Sequence, residues 1–172
     1  NPFSCWRAWL AFLDRRERGT SLAFFRIAIG ASMLLMLFQT WAAGAIVPLW
    51  MDSEYGGVRS ISRAPWLVEW LGGPSPGVVQ GLYVALFLSS LFLTIGLLGR
   101  PSALLTLLLH MNRTGLNPAA GGSYDLLIAN ACWLLVLAPS TATHALDCRL
   151  RTGSWHSQRL VSMWPRYLIV FQ

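Results

Sequence analysis

Two long apolar runs dominate the pattern of the chain. Residues 22–43, LAFFRIAIGASMLLMLFQTWAA, and 78–98, VVQGLYVALFLSSLFLTIGLL, are each long enough to cross a bilayer, for which about 20 apolar residues suffice. Two shorter apolar segments follow, 102–113 and 124–138, the latter stopped by Pro139. Their lengths suit tilted or partly interior helices of a bundle. Ahead of the first run, Phe3, Trp6, Trp9, Leu10 and Leu13 share one face at helical spacing. Arg7, Asp14, Arg15, Arg16, Glu17 and Arg18 occupy the other side and the end, the pattern of an amphipathic helix lying in the membrane interface. Between the long runs, residues 44–76 form a loop rich in Gly, Pro and Ser, with a short interfacial helix expected over Pro65–Leu71. Residues 140–162 read as polar loop, and a fifth helix is expected to begin near Met163 and to be cut off at Gln172. The pattern therefore predicts an all-α integral membrane protein. It has an interfacial helix over 1–19 and, over 20–172, a bundle of about four to five transmembrane helices.

Composition strengthens this picture. The 172 residues are 55% hydrophobic and only 12% charged, whereas a soluble domain carries about 25% charged residues. All 13 basic residues are arginine, and the net charge is +6. They lie between apolar runs, not on a water-facing basic patch, which argues against nucleic acid as a partner and for a topology signal. With the N-terminus inside, nine arginines (7, 15, 16, 18, 100, 149, 151, 159, 166) fall on the inner side and three (59, 63, 113) on the outer. The N-terminus is thus expected to be cytoplasmic, in a bacterial inner or intracytoplasmic membrane. Without lysine, no residue here can form a Schiff base. Cys5, Cys132 and Cys148 lack the spacing of a metal site, so no metal is expected, and Cys132 reads as a core residue. The first residue is Asn, which implies a missing initiator segment, and no signal peptide is recognisable.

Polar groups inside apolar segments are the candidates for function. Arg26 lies about one turn into the first run, where it can snorkel, pair with a carboxylate or contact a ligand. His110 sits on the third segment and can either hydrogen-bond a neighbouring helix or act as a ligand or base. His144 and His156 fall in the polar loop and are expected to face water. Asn112, Arg113 and Asp125 should meet at one rim, because the third and fourth helices run antiparallel, and an Arg113–Asp125 ion pair would pin the loop between them. The Gly121-Gly122-Ser123 stretch is a flexible helix entrance. No Ser/His/Asp order, phosphate loop, HExxH or CxxC appears, nor do paired carboxylates within the spans, so no catalytic residue is assigned.

Taken together, these residues resemble the HTTM domain, a transmembrane module related to vitamin K-dependent gamma-glutamyl carboxylase. The first span, SLAFFRIAIGASMLL, is similar to the family's opening helix. Asp52-Ser53-Glu54-Tyr55-Gly56-Gly57-Val58 with Arg59 resembles its acidic-glycine segment. TIGLLGRPSALLTLLLHMNRTG resembles its Gly-Leu-x-x-Arg turn and the helix that ends in His-Asn-Arg. Gly121-Gly122-Ser123-Tyr124-Asp125 looks like its Gly-Gly-Asp, and Leu146-Asp147 like the leucine-aspartate after the fourth helix. The likeness covers residues 20–172. It departs where Met111 separates His110 from Asn112 and where two residues separate Gly122 from Asp125. Catalytic relatives use a downstream lysine as the strong base, and these residues contain none. The resemblance thus implies the membrane architecture and, by position, makes His110 the counterpart of the family's functional histidine.

Three roles fit. The leading expectation is a non-catalytic membrane subunit packing against other subunits of a photosynthetic or respiratory assembly, surrounded by membrane lipids. The second is a carboxylase-like enzyme whose catalytic part lies beyond Gln172, with a quinone near His110 and Arg26. The third is an accessory maturation or immunity protein. The cofactor is undetermined, a contact with lipid, quinone or pigment being open.

Overall fold

A computed structural model describes residues 16–156 and 160–162, together with Trp6, Pro165, Tyr167 and Leu168. Among the described residues there are seven α-helices: α1 (Thr20–Ala42), α2 (Ile46–Trp50), α3 (Trp66–Trp70), α4 (Pro76–Ile95), α5 (Gly99–Leu116), α6 (Ser123–Leu137) and α7 (Leu146–Thr152). The long ones, α1, α4, α5 and α6, pack in chain order, and α6 also touches α1, closing a bundle. Most of the helix expected over 1–19 lies outside the described residues, as does most of the helix expected from Met163.

The end of that N-terminal segment is not helical. Arg16–Arg18 forms a strand, β1, paired antiparallel with β2 (Leu160–Ser162), Glu17 standing opposite Val161. The ribbon forms because Val161 is buried against Leu22, Ala138 and Ala142, a long-range contact invisible in the local pattern.

Helix α1 has 23 residues and α4 has 20, about 34 and 30 Å of helix, enough for the hydrocarbon core. These two are the helices long and apolar enough to cross a membrane. Only 33% of α1's apolar window and 39% of α4's is buried within the bundle, so most of their apolar surface faces outward, unlike core helices of a water-soluble domain. On α1 the inward stripe is Arg26, Gly30, Met33 and Leu37, spaced four, three and four. Gly30 lets α4 approach closely: a Cβ there would strike the Thr94 side chain and backbone.

Helix α5 is the central element, with ten of its 18 residues buried, among them Ser102, Thr106, His110, Asn112 and Arg113. A helix surrounded by helices can carry polar groups, provided that they find partners. Thr106 donates to Ser89 of α4 at 3.1 Å. Helix α5 is longer than the 102–113 segment at both ends. Helix α6 is a shorter apolar helix of 15 residues, about 22 Å. The stretch read as polar loop at 140–162 contains α7.

In the 44–76 loop, the acidic-glycine segment makes a compact knot. Asp52 Oδ1 accepts from Glu54 N at 3.0 Å and Oδ2 accepts from Ile61 N at 2.6 Å. Gly57 cannot be replaced, because a Cβ there would overlap the Met51 carbonyl. The two amide donors, Glu54 first, hold the Asp52 carboxyl below the usual carboxylate range. A carboxyl so depressed stabilises the knot fully above its ordinary pKa of about 3.9, and the contribution disappears as pH falls through the lower folded value. Protection of the Ile61 amide, its exchange relative to an unstructured amide at the same pH, is therefore expected to fall on acidification in the native chain. In Asp52→Asn, that protection should already be low near neutral pH and show no acid step.

Candidate functional site

The buried ionisable side chains of the long helices gather at opposite ends of the bundle. One cluster is built by the C-terminal end of α5 and the first turn of α6. Arg113 Nη2 donates to Asp125 Oδ1 at 3.1 Å, with side chains 4% and 11% exposed. Asp125 Oδ2 accepts the Gly122 amide at 2.8 Å, an acidic group in the first turn of a helix where the helix dipole favours it. His110 Nε2 lies 3.2 Å from the Asp125 carbonyl and 3.5 Å from its Oδ1, and its Nδ1 has no hydrogen-bond partner. The Arg113 guanidinium stacks over the Trp50 ring at 5.0 Å, which ties α2 to the same end. Asn112 faces α3, accepting the Leu67 amide at 3.2 Å. Asn117 donates to Leu49 O at 2.8 Å. Thus the long loop is fastened to the bundle's end by side chains of α5 and the residue just after it.

Beside this cluster, between α5 and α6, an open cavity of about 620 Å³ is lined by His110, Thr114, Gly121, Gly122, Ser123 and Asp125 among others. His110 lines this cavity with one ring nitrogen buried and without a partner, and an imidazole nitrogen can accept or donate one hydrogen bond.

The other cluster surrounds Arg26, which is fully buried. Its Nη2 donates to His144 O at 2.7 Å, while Nε and Nη1 have no partner. Close by, Asp147 takes the Leu98 amide at 3.0 Å on Oδ1 and the Gly99 amide at 3.1 Å on Oδ2. It thereby caps α5 from 48 residues away. Leu98 needs that hold, since its φ of 52° is left-handed backbone that a leucine seldom adopts. His144 is half-buried, with φ 48° and its ring 5.8 Å from Phe24, and does not face water freely; His156 is exposed.

Arg26 and His110 therefore do not share a pocket. Arg26 sits by Gly96, ahead of α5, and His110 lies about 16 Å further along that helix. The quinone pocket near both, expected of the carboxylase-like alternative, would have to span two separate polar clusters. Cys132 and Cys148 are buried and free, and no group of three metal-binding side chains occurs among the described residues. Asp147 and Trp50 are the residues that the sequence reading did not assign to a site; the Leu146-Asp147 signature was the available signal for the first.

A helical bundle with an outward-facing apolar surface, a polar central helix and two helices of spanning length is consistent with integration into a membrane. The sequence pattern of the HTTM domain matches residues 15–172, and the chain belongs to that family. No curated protein and no solved structure matches it. The residues that carried the resemblance now have positions: His110, Asn112, Arg113 and Asp125 lie at one end, while at the other the Asp147 amide donates to Gly96 O at 3.1 Å beside Arg100.

Proposed function

We propose that the chain is a non-catalytic membrane module that packs its helices against other subunits of a larger membrane assembly. In this reading α5 and α6 cross the bilayer with α1 and α4, and the N-terminus is cytoplasmic in a bacterial membrane, as the arginine distribution supports. The supporting observation is the engagement of Asp125, the buried carboxylate of the His110 cluster. Both its oxygens are occupied by Arg113 and the Gly122 amide, so it fastens α5 to α6 and is not poised as a base. No lysine lies among these residues to serve instead. Trp41, Phe38, Leu126, Leu127 and Trp133 remain exposed on α1 and α6, apolar surface for lipid or partner helices.

The test is extraction of the tagged chain from its native membrane in a mild detergent. It is expected to migrate with the same partners at fixed stoichiometry, in His110→Ala as in the native chain. A monodisperse particle of this chain alone overturns the proposal. A second reading, a lipid-soluble quinone-like ligand held by His110, is favoured by the place of this residue in the cavity lining and by its buried Nδ1, which has no partner. It requires a quinone that co-purifies with the native chain and is lost from His110→Ala.

A further inference from the structure

The largest cavity among those described, about 860 Å³, lies at the Arg26 end but is not lined by Arg26. Its walls are the start of α5, the turn after α6, α7 and β2. Among the described residues Arg100 and Arg151 line it together with Arg16, and Asp147 is the carboxylate in that lining. That carboxylate is already committed to the Leu98 and Gly99 amides, so its charge is offset by two donors and by the positive end of α5. Arg100 gives one N–H to Leu137 O at 3.3 Å, and Arg151 gives two, to Asp147 O at 3.1 Å and Thr141 O at 3.4 Å. These contacts use one N–H of Arg100 and two of Arg151, so each guanidinium retains further N–H donors of its five.

Depth supplies the second observation. The groove begins at Leu98, three residues past the end of α4, and at Ala138, directly after α6. A cavity placed where two apolar helices stop lies at the level of the headgroups if those helices cross the bilayer, on whichever side it falls. Guanidiniums bind phosphate oxygens through parallel N–H bonds. We propose that this groove binds a phosphate group, carried by the headgroup of an anionic phospholipid.

The experiment uses the full chain in detergent micelles, with native mass spectrometry of retained lipid. Phosphatidylglycerol and phosphatidylcholine are offered separately, and inorganic phosphate is added as competitor. Phosphatidylglycerol is expected to be retained in preference to phosphatidylcholine. The double variant Arg100→Gln/Arg151→Gln should weaken that retention about thirtyfold, or about fivefold per arginine at a charged interface. Arg63→Gln, an exposed arginine outside the groove, should change nothing. Equal retention by the double variant and Arg63→Gln overturns the proposal. Displacement of the lipid by millimolar phosphate overturns the lipid source and assigns the groove to free phosphate. If the double variant does not fold, the native chain decides: retention that does not fall as salt rises overturns the proposal, because a charge-held headgroup must be screened.

Discussion

Replacing Asp125 by alanine is expected to destabilise the bundle by about 3–5 kcal/mol, the cost of leaving a buried charge without its partner. Arg113 is 4% exposed and would face Trp50 and Met36 without its ion-pair partner among the described residues. The Gly122 amide would lose its acceptor, loosening the first turn of α6. The charge itself is the cause, and that makes a sharper test possible. Arg113→Met combined with Asp125→Leu removes both charges at similar volume, and most of the lost stability should return. Thermal or chemical denaturation of the single and double variants in detergent measures this. If the double variant is as unstable as Asp125→Ala, the pair is not what holds α5 to α6. Asp125→Asn, which keeps an acceptor but no charge, should fall between.

The second large effect is expected at Gly96, where α4 ends. Its φ is 73°, and the chain closes there with the Gly96 amide on Leu93 O and the Leu97 amide on Phe92 O, a Schellman ending. An alanine would meet the Arg26 guanidinium and, at 2.6 Å, the Ala145 Cβ. Left-handed backbone costs a non-glycine residue about 1–2 kcal/mol, and overpacking adds about 1–3. Gly96→Ala should therefore lower stability by roughly 2–5 kcal/mol. Gly81 of α4 is the control, since nothing lies within 4 Å of its added Cβ. Alanine there should leave stability unchanged or raise it by up to about 1 kcal/mol through the gain in helix preference. Adding Arg26→Met to Gly96→Ala should relieve the clash with the guanidinium but neither the contact with the Ala145 Cβ nor the backbone strain. A Gly96→Ala protein as stable as Gly81→Ala would contradict this turn.

The two spanning helices were legible because each needs only its own sequence: a run of apolar residues bounded by Gly, Pro or Ser. The ends of α5 were not. Its start at Gly99 depends on Asp147, which lies 48 residues away, and its continuation past Arg113 depends on polar side chains turned inward to α2, α3 and α6. Seen locally, Asn112 and Arg113 mark a helix leaving the apolar phase; seen in three dimensions, they are buried at 2% and 4%. Helix α7 and the β1–β2 ribbon were missed for a related reason. Seven and three residues carry too little intrinsic preference, and both exist through contacts such as those of Cys148 and Val161. For the site, the proximity of Arg113 to Asp125 followed from antiparallel α5 and α6. The separation of Arg26 from His110 did not, because each was seen only as a polar residue in an apolar run, with no measure of which end of the bundle it occupied.

The cap supplied by Asp147 also sets an order of events during synthesis. The α4–α5 turn carries a leucine in left-handed backbone, and the side chain that secures it lies 49 residues downstream. At about 5–20 residues per second, the hairpin waits on the order of 2–10 seconds after Leu98 is made before Asp147 can reach it. For that interval the first three long helices form an unlatched assembly, and the short segment after α6 acts as the bolt. Helix formation and final closure of this turn are thus separate steps, and the second is timed by one carboxylate.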